Sequence, residues 1–185
     1  MSKVFLNEEW ENLSLSGQVI HYGYYHKYRL PDGSVNPEFR TDAISGLILD
    51  VKEKKEKGLN FFFTALQYEI EKGISICVVP SHVAGTHNDS GISELARRLA
   101  SDGRIDKTDC LLRTKSIHKL AGGGDRDIRT QRESLAINPD ISISGDVVLL
   151  VDDVTTSGNS LTVCKELLEK NGATRVAMFA LGKSI

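Results

Sequence analysis

The second half of the chain alternates apolar runs with amphipathic segments. Residues 74–80 (ISICVVP) have the length and continuous apolar character of a strand buried on both faces, and 147–153 (VVLLVDD) are a strand-like apolar run that ends in two aspartates. Helical patterns follow them at residues 93–101 (SELARRLAS) and 159–170 (NSLTVCKELLEK), and 175–181 (RVAMFAL) predicts a last strand. Strands that alternate with helices predict right-handed crossovers and a largely parallel sheet.

The stretch between these runs is more irregular. Residues 109–113 (DCLLR) predict a short strand, and a long polar segment follows at 114–129. Thr130 and Glu133 then form a capping-box pattern, which predicts a helix over residues 131–137 (QRESLAI).

The first part of the chain has its own pattern. Residues 19–30 (VIHYGYYHKYRL) are rich in tyrosine and β-branched residues, which predicts a strand, and turn residues follow at 31–33. We therefore divide the chain into an N-terminal strand and helix region, 1–60, and a core, 61–185, within one compact unit.

Two helices are predicted where these regions meet. One begins near Thr41 or Asp42 and has Gly58 as its stop signal. The other covers residues 61–72 (FFFTALQYEIEK) and ends at Gly73.

Composition and charge exclude several classes of protein. The chain is 40% hydrophobic and 26% charged, as in an ordinary globular protein, and its net charge of -2 argues against a nucleic-acid partner. We find neither an export signal nor a membrane-length apolar run, so we expect a cytoplasmic protein without a membrane partner. Cys77, Cys110 and Cys164 form no CxxC pattern, which favours reduced core thiols over disulfides or zinc ligands.

The loop after residues 147–153 has the composition of a ligand site. Amides at the start of the next helix can bind phosphate oxygens, and the loop hydroxyls add donors. The adjacent carboxylates suit vicinal sugar hydroxyls, so the predicted ligand is a ribose 5-phosphate whose 2- and 3-hydroxyls are free. An ordinary strand end with one N-cap aspartate is the alternative, but it explains neither the second acid nor the four hydroxyls. The candidate residues are Asp152, Asp153, Thr155, Thr156, Ser157, Gly158, Asn159 and Ser160.

Residues 148–161 (VLLVDDVTTSGNSL) resemble the phosphoribosyl diphosphate (PRPP) binding motif of the type I phosphoribosyltransferases. The segment departs from the motif mildly at Thr155, where the family usually has an apolar residue. The order of elements extends the resemblance over about residues 74–182. It implies an α/β fold: a type I phosphoribosyltransferase-like core with a central, mostly parallel sheet flanked by helices, plus a small N-terminal hood-like region. Within the superfamily, the C-terminal half is similar to the competence-protein F (ComF-like) branch.

The resemblance implies a second loop, after the first core strand, that binds pyrophosphate through backbone amides, often across a non-proline cis peptide. The alternative without a binding role is that Pro80 ends the strand and that His82 and His87 are solvated. The candidates at this place are Ser81, His82, Val83, Ala84 and Gly85.

A basic lid over the pyrophosphate is also implied. Arg113 and Lys115, at the end of the strand 109–113, are candidate pyrophosphate ligands. A merely solvated loop is the alternative for the cations after Lys115. The predicted flexible lid contains Lys119, Gly122, Gly123, Gly124, Arg126 and Arg129.

The resemblance implies Mg²⁺-dependent transfer of phosphoribosyl from PRPP to a nitrogenous, nucleobase-type small molecule, with release of pyrophosphate. Asp152, Asp153 and Lys115 are the catalytic candidates, and substrate and water would supply most ligands of the metal. A non-catalytic regulatory or accessory protein of the ComF-like type, which binds PRPP or a nucleotide, is the alternative. The sequence leaves open whether the chain forms a homodimer. Tyrosines 22, 24, 25 and 28 could stack on a base or simply pack along a strand.

Overall fold

The structure is a computed structural model that describes residues 2–85, 89–117 and 128–185. In chain order its elements are α1 (Glu8–Leu15), β1 (Val19–Tyr25), α2 (Pro37–Thr41), α3 (Ala43–Lys52), α4 (Glu56–Leu66), β2 (Ser75–Val78), α5 (Gly91–Ser101), β3 (Ile105–Asp106), β4 (Leu111–Arg113), α6 (Ile128–Glu133), β5 (Leu135–Ile137), β6 (Val147–Thr155), α7 (Asn159–Lys170) and β7 (Arg175–Ser184).

A five-stranded parallel sheet forms the centre of the fold. Its strand order is β1-β7-β6-β2-β3, and each neighbouring pair is parallel. Parallel neighbours require crossovers, and the helices that make them cover both faces of the sheet. The predicted α/β class, with a mostly parallel central sheet flanked by helices, is confirmed.

Alternate residues of β6 belong to two separate hydrophobic cores. Leu149 and Val151 pack in the core that includes residues of α3, α4 and α5. Val148 and Leu150 pack in the other core, which includes residues of α7. Because successive side chains of a strand point to opposite faces, this division gives each position of β6 a defined side of the sheet.

The N-terminal region contributes a strand to the central sheet. β1 pairs in parallel with β7, and Ile20 lies opposite Phe179. The boundary predicted at residue 60 therefore does not separate the strands of the sheet, since residues 19–25 are part of it. Besides β1, the region 1–60 contains α1, α3 and the segment 26–42, and its role as a hood stays a prediction.

Two predicted helix ends are wrong. Asp42 is the N-cap of α3, as predicted, but that helix ends at Lys52 and Gly58 lies inside α4. A Cβ at Gly58 would lie 2.5 Å from the carbonyl oxygen of Leu47, so this glycine permits close packing of α4 on α3. The helix predicted to reach Gly73 ends at Leu66, and Arg104 then donates to the backbone oxygens of residues 67 and 70.

The segment that contains β4, α6 and β5 also differs from the prediction. β4 pairs antiparallel with β5, outside the central sheet. The helix predicted over residues 131–137 is α6, which ends at Glu133, and residues 135–137 form β5. Residues 135–137 pair with β4 as a strand, and they are therefore not part of the helix.

The three cysteines are buried and free. Burial raises the pKa of Cys164 to about 12. Among the described residues, no helix has both the length and the apolar character needed to cross a bilayer.

Candidate functional site

The predicted ligand loops meet at the carboxyl edge of the parallel sheet. β2 and β6 run side by side, with Val78 opposite Val151. The amide of Val79 donates to the backbone oxygen of Val151 over 3.0 Å, so the loop after β2 leaves the sheet next to Asp152. Such an edge is where open α/β sheets bind their ligands.

The β6–α7 loop presents a helix N-terminus whose N-cap residue is a glycine, which has no side chain of its own to cap the helix. Gly158 is the N-cap of α7 and has a φ of 81°, a left-handed conformation that favours glycine. The first turn of α7 contains no acidic residue, so the positive end of the helix dipole is not neutralised locally. Thr156 and Ser157 are exposed, and Asn159 and Ser160 are half-buried. Amides and hydroxyls at this place can bind an anion.

Thr155 occupies a different environment from the other loop residues. It is the last residue of β6, lies opposite Lys183 and is only 7% exposed. Its predicted contact with a 5-phosphate is therefore sterically more restricted than that of Thr156 or Ser157.

The two acids lie on opposite faces of the sheet. Asp152 and Asp153 are consecutive residues within β6, so their side chains alternate. Asp153 shares the α3 face with Val151 and contacts Lys52 of α3. The Asp152 carboxylate acts electrostatically on Cys164, which lies in α7. The carboxylates thus flank the strand instead of standing side by side on one face.

Lys52 is a site residue that the sequence analysis missed. Its Nζ lies 2.7 Å from Oδ2 of Asp153, and both side chains are about 30% exposed (31% and 29%). The same ammonium lies 5.8 Å from the ring centroid of Tyr25. Burial raises the pKa of Tyr25; Lys52 acts to lower it, and Asp153 to raise it. No local pattern marks Lys52, because it reaches the site only through the packing of α3 on the sheet.

The candidate pyrophosphate loop is held by the segment that follows β4. The amide of Ile117 donates to the backbone oxygen of His82 over 2.9 Å, and the amide of Ala84 donates to Oγ of Ser116 over 2.9 Å. Ser81 and Val83 are exposed, and Gly85 has a φ of 72°. Every peptide bond within the described residues is trans. An anion that binds the Ala84 amide must displace the Ser116 hydroxyl.

Arg113 is buried beneath the loop at residues 81–85 and holds it through a hydrogen bond. It is 6% exposed, and its Nε donates to the backbone oxygen of Ser81 over 3.0 Å. Its Nη1 donates to Gln131 and Ser134 over 3.0 and 2.6 Å. These contacts favour a positioning role for Arg113, whereas the sequence predicts a direct pyrophosphate ligand. Lys115, two residues further on, is exposed.

Most of the predicted lid lies outside the described residues. This applies to Lys119, Gly122, Gly123, Gly124 and Arg126, and also to His87 of the first loop. Arg129 is described: it lies in α6 and pairs with Glu133 at 2.9 Å.

The residues around the loops fit a magnesium ion that the substrate carries. No group of three or more His, Cys, Asp and Glu side chains suited to a metal occurs within residues 2–85, 89–117 and 128–185. Mg²⁺ commonly takes one or two carboxylates and otherwise binds substrate phosphates and water. Asp152 and Asp153 are the carboxylates that could approach it.

The carboxyl edge of this parallel sheet thus carries a glycine-capped helix N-terminus and two carboxylates, an arrangement that can bind a sugar phosphate. Residues 92–182 match the family model of the phosphoribosyl transferase domain. This match confirms the resemblance of residues 148–161 to the type I phosphoribosyltransferase superfamily. The matched segment includes the β6–α7 loop and Lys115, whereas residues 81–85 precede it.

The solved structures that are similar to the chain include the following three. The allosteric regulatory enzyme of purine biosynthesis is 19% identical, with a TM-score of 0.47, over 71% of this chain and 26% of that one. Phosphoribosylpyrophosphate synthetase from Mycobacterium smegmatis is 16% identical, with a TM-score of 0.33, over 66% and 32%. Hypoxanthine phosphoribosyltransferase from Staphylococcus aureus is 17% identical, with a TM-score of 0.40, over 75% and 74%. The chain thus matches only 26% and 32% of the first two proteins. A search of curated protein sequences finds no significant match.

Proposed function

We propose that the protein is a phosphoribosyltransferase that uses PRPP and Mg²⁺ and releases pyrophosphate. The β6–α7 loop carries this proposal, because it joins carboxylates at a strand end to a glycine-capped helix N-terminus within the matched segment. One ligand that satisfies both features is a ribose with a 5-phosphate and vicinal hydroxyls. The ComF-like branch stays a prediction.

Different residues of β6 and the β6–α7 loop bind different parts of the ligand. Amides and hydroxyls of residues 155–160 bind the 5-phosphate, with Thr156 and Ser157 the most accessible. Asp152 and Asp153 accept hydrogen bonds from the ribose hydroxyls, each approaching from its own side of the strand. This geometry requires the ribose to lie across the end of β6.

Transfer exchanges one bond at C1 of the ribose for another. The bond from C1 to the pyrophosphate oxygen breaks, and a bond forms to a nitrogen of the acceptor, which loses a proton. Lys115 and the loop at residues 81–85 stabilise the negative charge of the departing pyrophosphate, and Arg113 holds that loop in place. Magnesium, when bound with the substrate, neutralises further charge on the diphosphate.

The acceptor is a nitrogenous base that lies against the end of β1 and the segment that follows it. Tyr24 and Tyr28 are 54% and 40% exposed, so their rings are accessible. Tyr28 packs edge-on against Phe39 at 5.1 Å between ring centroids. Tyr25, by contrast, is buried, which favours strand packing for that tyrosine.

Pyrophosphate release tests the proposal. The protein is mixed with PRPP, Mg²⁺ and each common base, and pyrophosphate is followed against a mixture that lacks the base. We expect one base to give turnover, and Asp152→Asn and Asp153→Asn to reduce it while the fold is kept. PRPP binding by calorimetry without turnover on any base would favour the regulatory or accessory alternative. Absence of both binding and turnover would contradict both functions.

A further inference from the structure

The end of α3 and the turn that follows it contact residues next to both candidate ligand loops. Lys52 pairs with Asp153 of β6, and Lys54 pairs with Asp89 of the β2–α5 loop at 2.5 Å. Lys54 has a φ of 56° and is, within the described ranges, the only non-glycine residue with a positive φ. The backbone therefore turns sharply here, at a place where two nearby lysines contact β6 and the β2–α5 loop.

The position of Lys52 reduces an electrostatic repulsion within the proposed site. A carboxylate that binds ribose hydroxyls stands close to a phosphate, and like charges at such distances repel each other. Asp153 has a cationic partner at 2.7 Å in Lys52. Because both side chains are only about 30% exposed (31% and 29%), solvent screens this pair less than it would a pair on the open surface.

The surroundings of Lys52 hold its ammonium at Asp153. The ammonium is a donor to Oδ2 and lies near the face of the Tyr25 ring, at 5.8 Å from the centroid. The other oxygen, Oδ1, accepts a 2.5 Å hydrogen bond from the amide of Val154. The carboxylate is thus fixed at both oxygens at the margin of the β6–α7 loop.

We propose that Lys52 is a positioning residue of the PRPP site. It neutralises Asp153 and orients its carboxylate, so that the acid receives ribose hydroxyls beside an anionic phosphate. The proposal rests on the proposed function, because it assigns Lys52 a part in binding the same ligand. It also gives the N-terminal region a role in binding PRPP that is separate from covering the base.

A direct contact between Lys52 and a phosphate is the competing role. The two roles differ in their dependence on Asp153. If Lys52 acts by neutralising Asp153, its removal should matter little once residue 153 is uncharged. If Lys52 binds phosphate directly, its removal should cost the same whichever residue stands at 153.

A double-mutant cycle separates these roles. Calorimetry with PRPP and Mg²⁺ is performed on the wild type, Lys52→Met, Asp153→Asn and the double variant. We expect Lys52→Met to weaken PRPP binding roughly 10-fold in the wild type and less than about 2-fold in the Asp153→Asn background. Lys52→Arg, which keeps the charge, should stay within about 3-fold of the wild type.

The control variant is Lys72→Met. Lys72 pairs with Asp102 near the opposite edge of the sheet and has no part in the proposed site. We expect its affinity for PRPP to equal that of the wild type. Urea unfolding of each variant checks that affinity is compared between folded proteins.

The possible failures are distinguishable. Equal losses from Lys52→Met in both backgrounds would overturn the positioning role and leave the proposed function in place. A loss of 10-fold or more in a folded Lys52→Arg protein would also overturn it, and this result decides the matter if the Met variant does not fold. No PRPP binding by the wild type would overturn the proposed function and this inference with it.

Discussion

Glu11 and Arg175 form an ion pair that ties the first helix to the last strand. Nη1 of Arg175 donates to Oε1 of Glu11 over 2.6 Å, and the side chains are 10% and 8% exposed. The second oxygen of Glu11 accepts from the amides of Val4 and Phe5 over 3.1 and 3.0 Å. The carboxylate thus also fixes the segment that precedes α1.

Removing this carboxylate should lower stability. Glu11→Gln leaves the nearly buried guanidinium without its counter-charge, and breaking such a pair costs about 3 kcal/mol. We expect a decrease of that order in the free energy of unfolding, measured with urea at neutral pH. Glu9→Gln is the control: Glu9 is exposed in the same helix, and its replacement should cost less than about 1 kcal/mol.

The same pair should make stability depend on acid. Burial raises the pKa of Glu11, but hydrogen bonds from Arg175 and from the amides of Phe5 and Val4 outweigh burial and hold the pKa below the usual 4.5. A carboxyl with a lowered pKa stabilises the fold fully above its unfolded value, and this contribution is lost as pH falls through the folded value. The gap in unfolding free energy between wild type and Glu11→Gln should therefore narrow below about pH 4.5. A gap that is constant down to pH 3 would contradict this.

Gly91 should be irreplaceable because α5 begins against the end of α3. A Cβ on Gly91 would lie 1.6 Å from the carbonyl oxygen of Val51. Gly91→Ala must therefore separate two helices, and we expect a loss of about 3 kcal/mol or more in the free energy of unfolding. Gly46→Ala is the control: it lies within α3 with nothing within 4 Å of its Cβ, and should gain about 0.5–1 kcal/mol. If Gly91→Ala and Gly46→Ala changed the free energy of unfolding equally, α3 and α5 would have to move apart without cost.

The parts of the fold that the sequence predicts are those specified by local periodicity. The apolar runs of β2, β6 and β7 and the amphipathic helices α5 and α7 lie where predicted, because burial on two faces or one leaves a repeating pattern. The position of β1 beside β7 depends on strand pairing between the two ends of the chain. Gly58 shows the same limit, since only the approach of α3 reveals that it serves packing and not termination.

In the candidate site, too, only the residues that are contiguous in the chain could be predicted. The β6–α7 loop was predictable because its acids, hydroxyls and glycine are contiguous in the chain. Lys52 was not, because it lies 101 positions from Asp153. The supporting role of Arg113 was also hidden, because it depends on Ser81, 32 positions away. Long-range contacts leave no trace in a local pattern.

Arg113→Lys should displace the loop at residues 81–85. A lysine ammonium cannot match the planar fork that joins Ser81 to Gln131 and Ser134, so buried acceptors would lose their donors. We expect about 2 kcal/mol less stability in urea and weaker PRPP binding by calorimetry. Unchanged affinity in this variant would show that the loop does not bind PRPP.

The matched control is Arg132→Lys. Arg132 pairs with Glu166 at 2.8 Å, but the side chains are 57% and 47% exposed. Its replacement should change the free energy of unfolding by less than about 0.5 kcal/mol and leave PRPP affinity unchanged.

Gly158→Ala should weaken PRPP binding while the fold is kept. The φ of 81° is strained for alanine by about 1–2 kcal/mol, and the added Cβ would lie 3.4 Å from Val19, an ordinary contact. Strain at the N-cap shifts the amides of α7 that bind the 5-phosphate, so calorimetry should show an affinity roughly 10-fold lower.

Gly145→Ala separates this effect from strain in general. Gly145 has a φ of 84°, nothing lies within 4 Å of its Cβ, and it precedes β6 at the opposite edge of the sheet. Both variants should lose similar stability in urea, since both place alanine in the left-handed region. Only Gly158→Ala should lose affinity for PRPP. If the two variants bind PRPP equally well, the N-terminus of α7 does not bind its phosphate, and the β6–α7 loop no longer supports the proposed function.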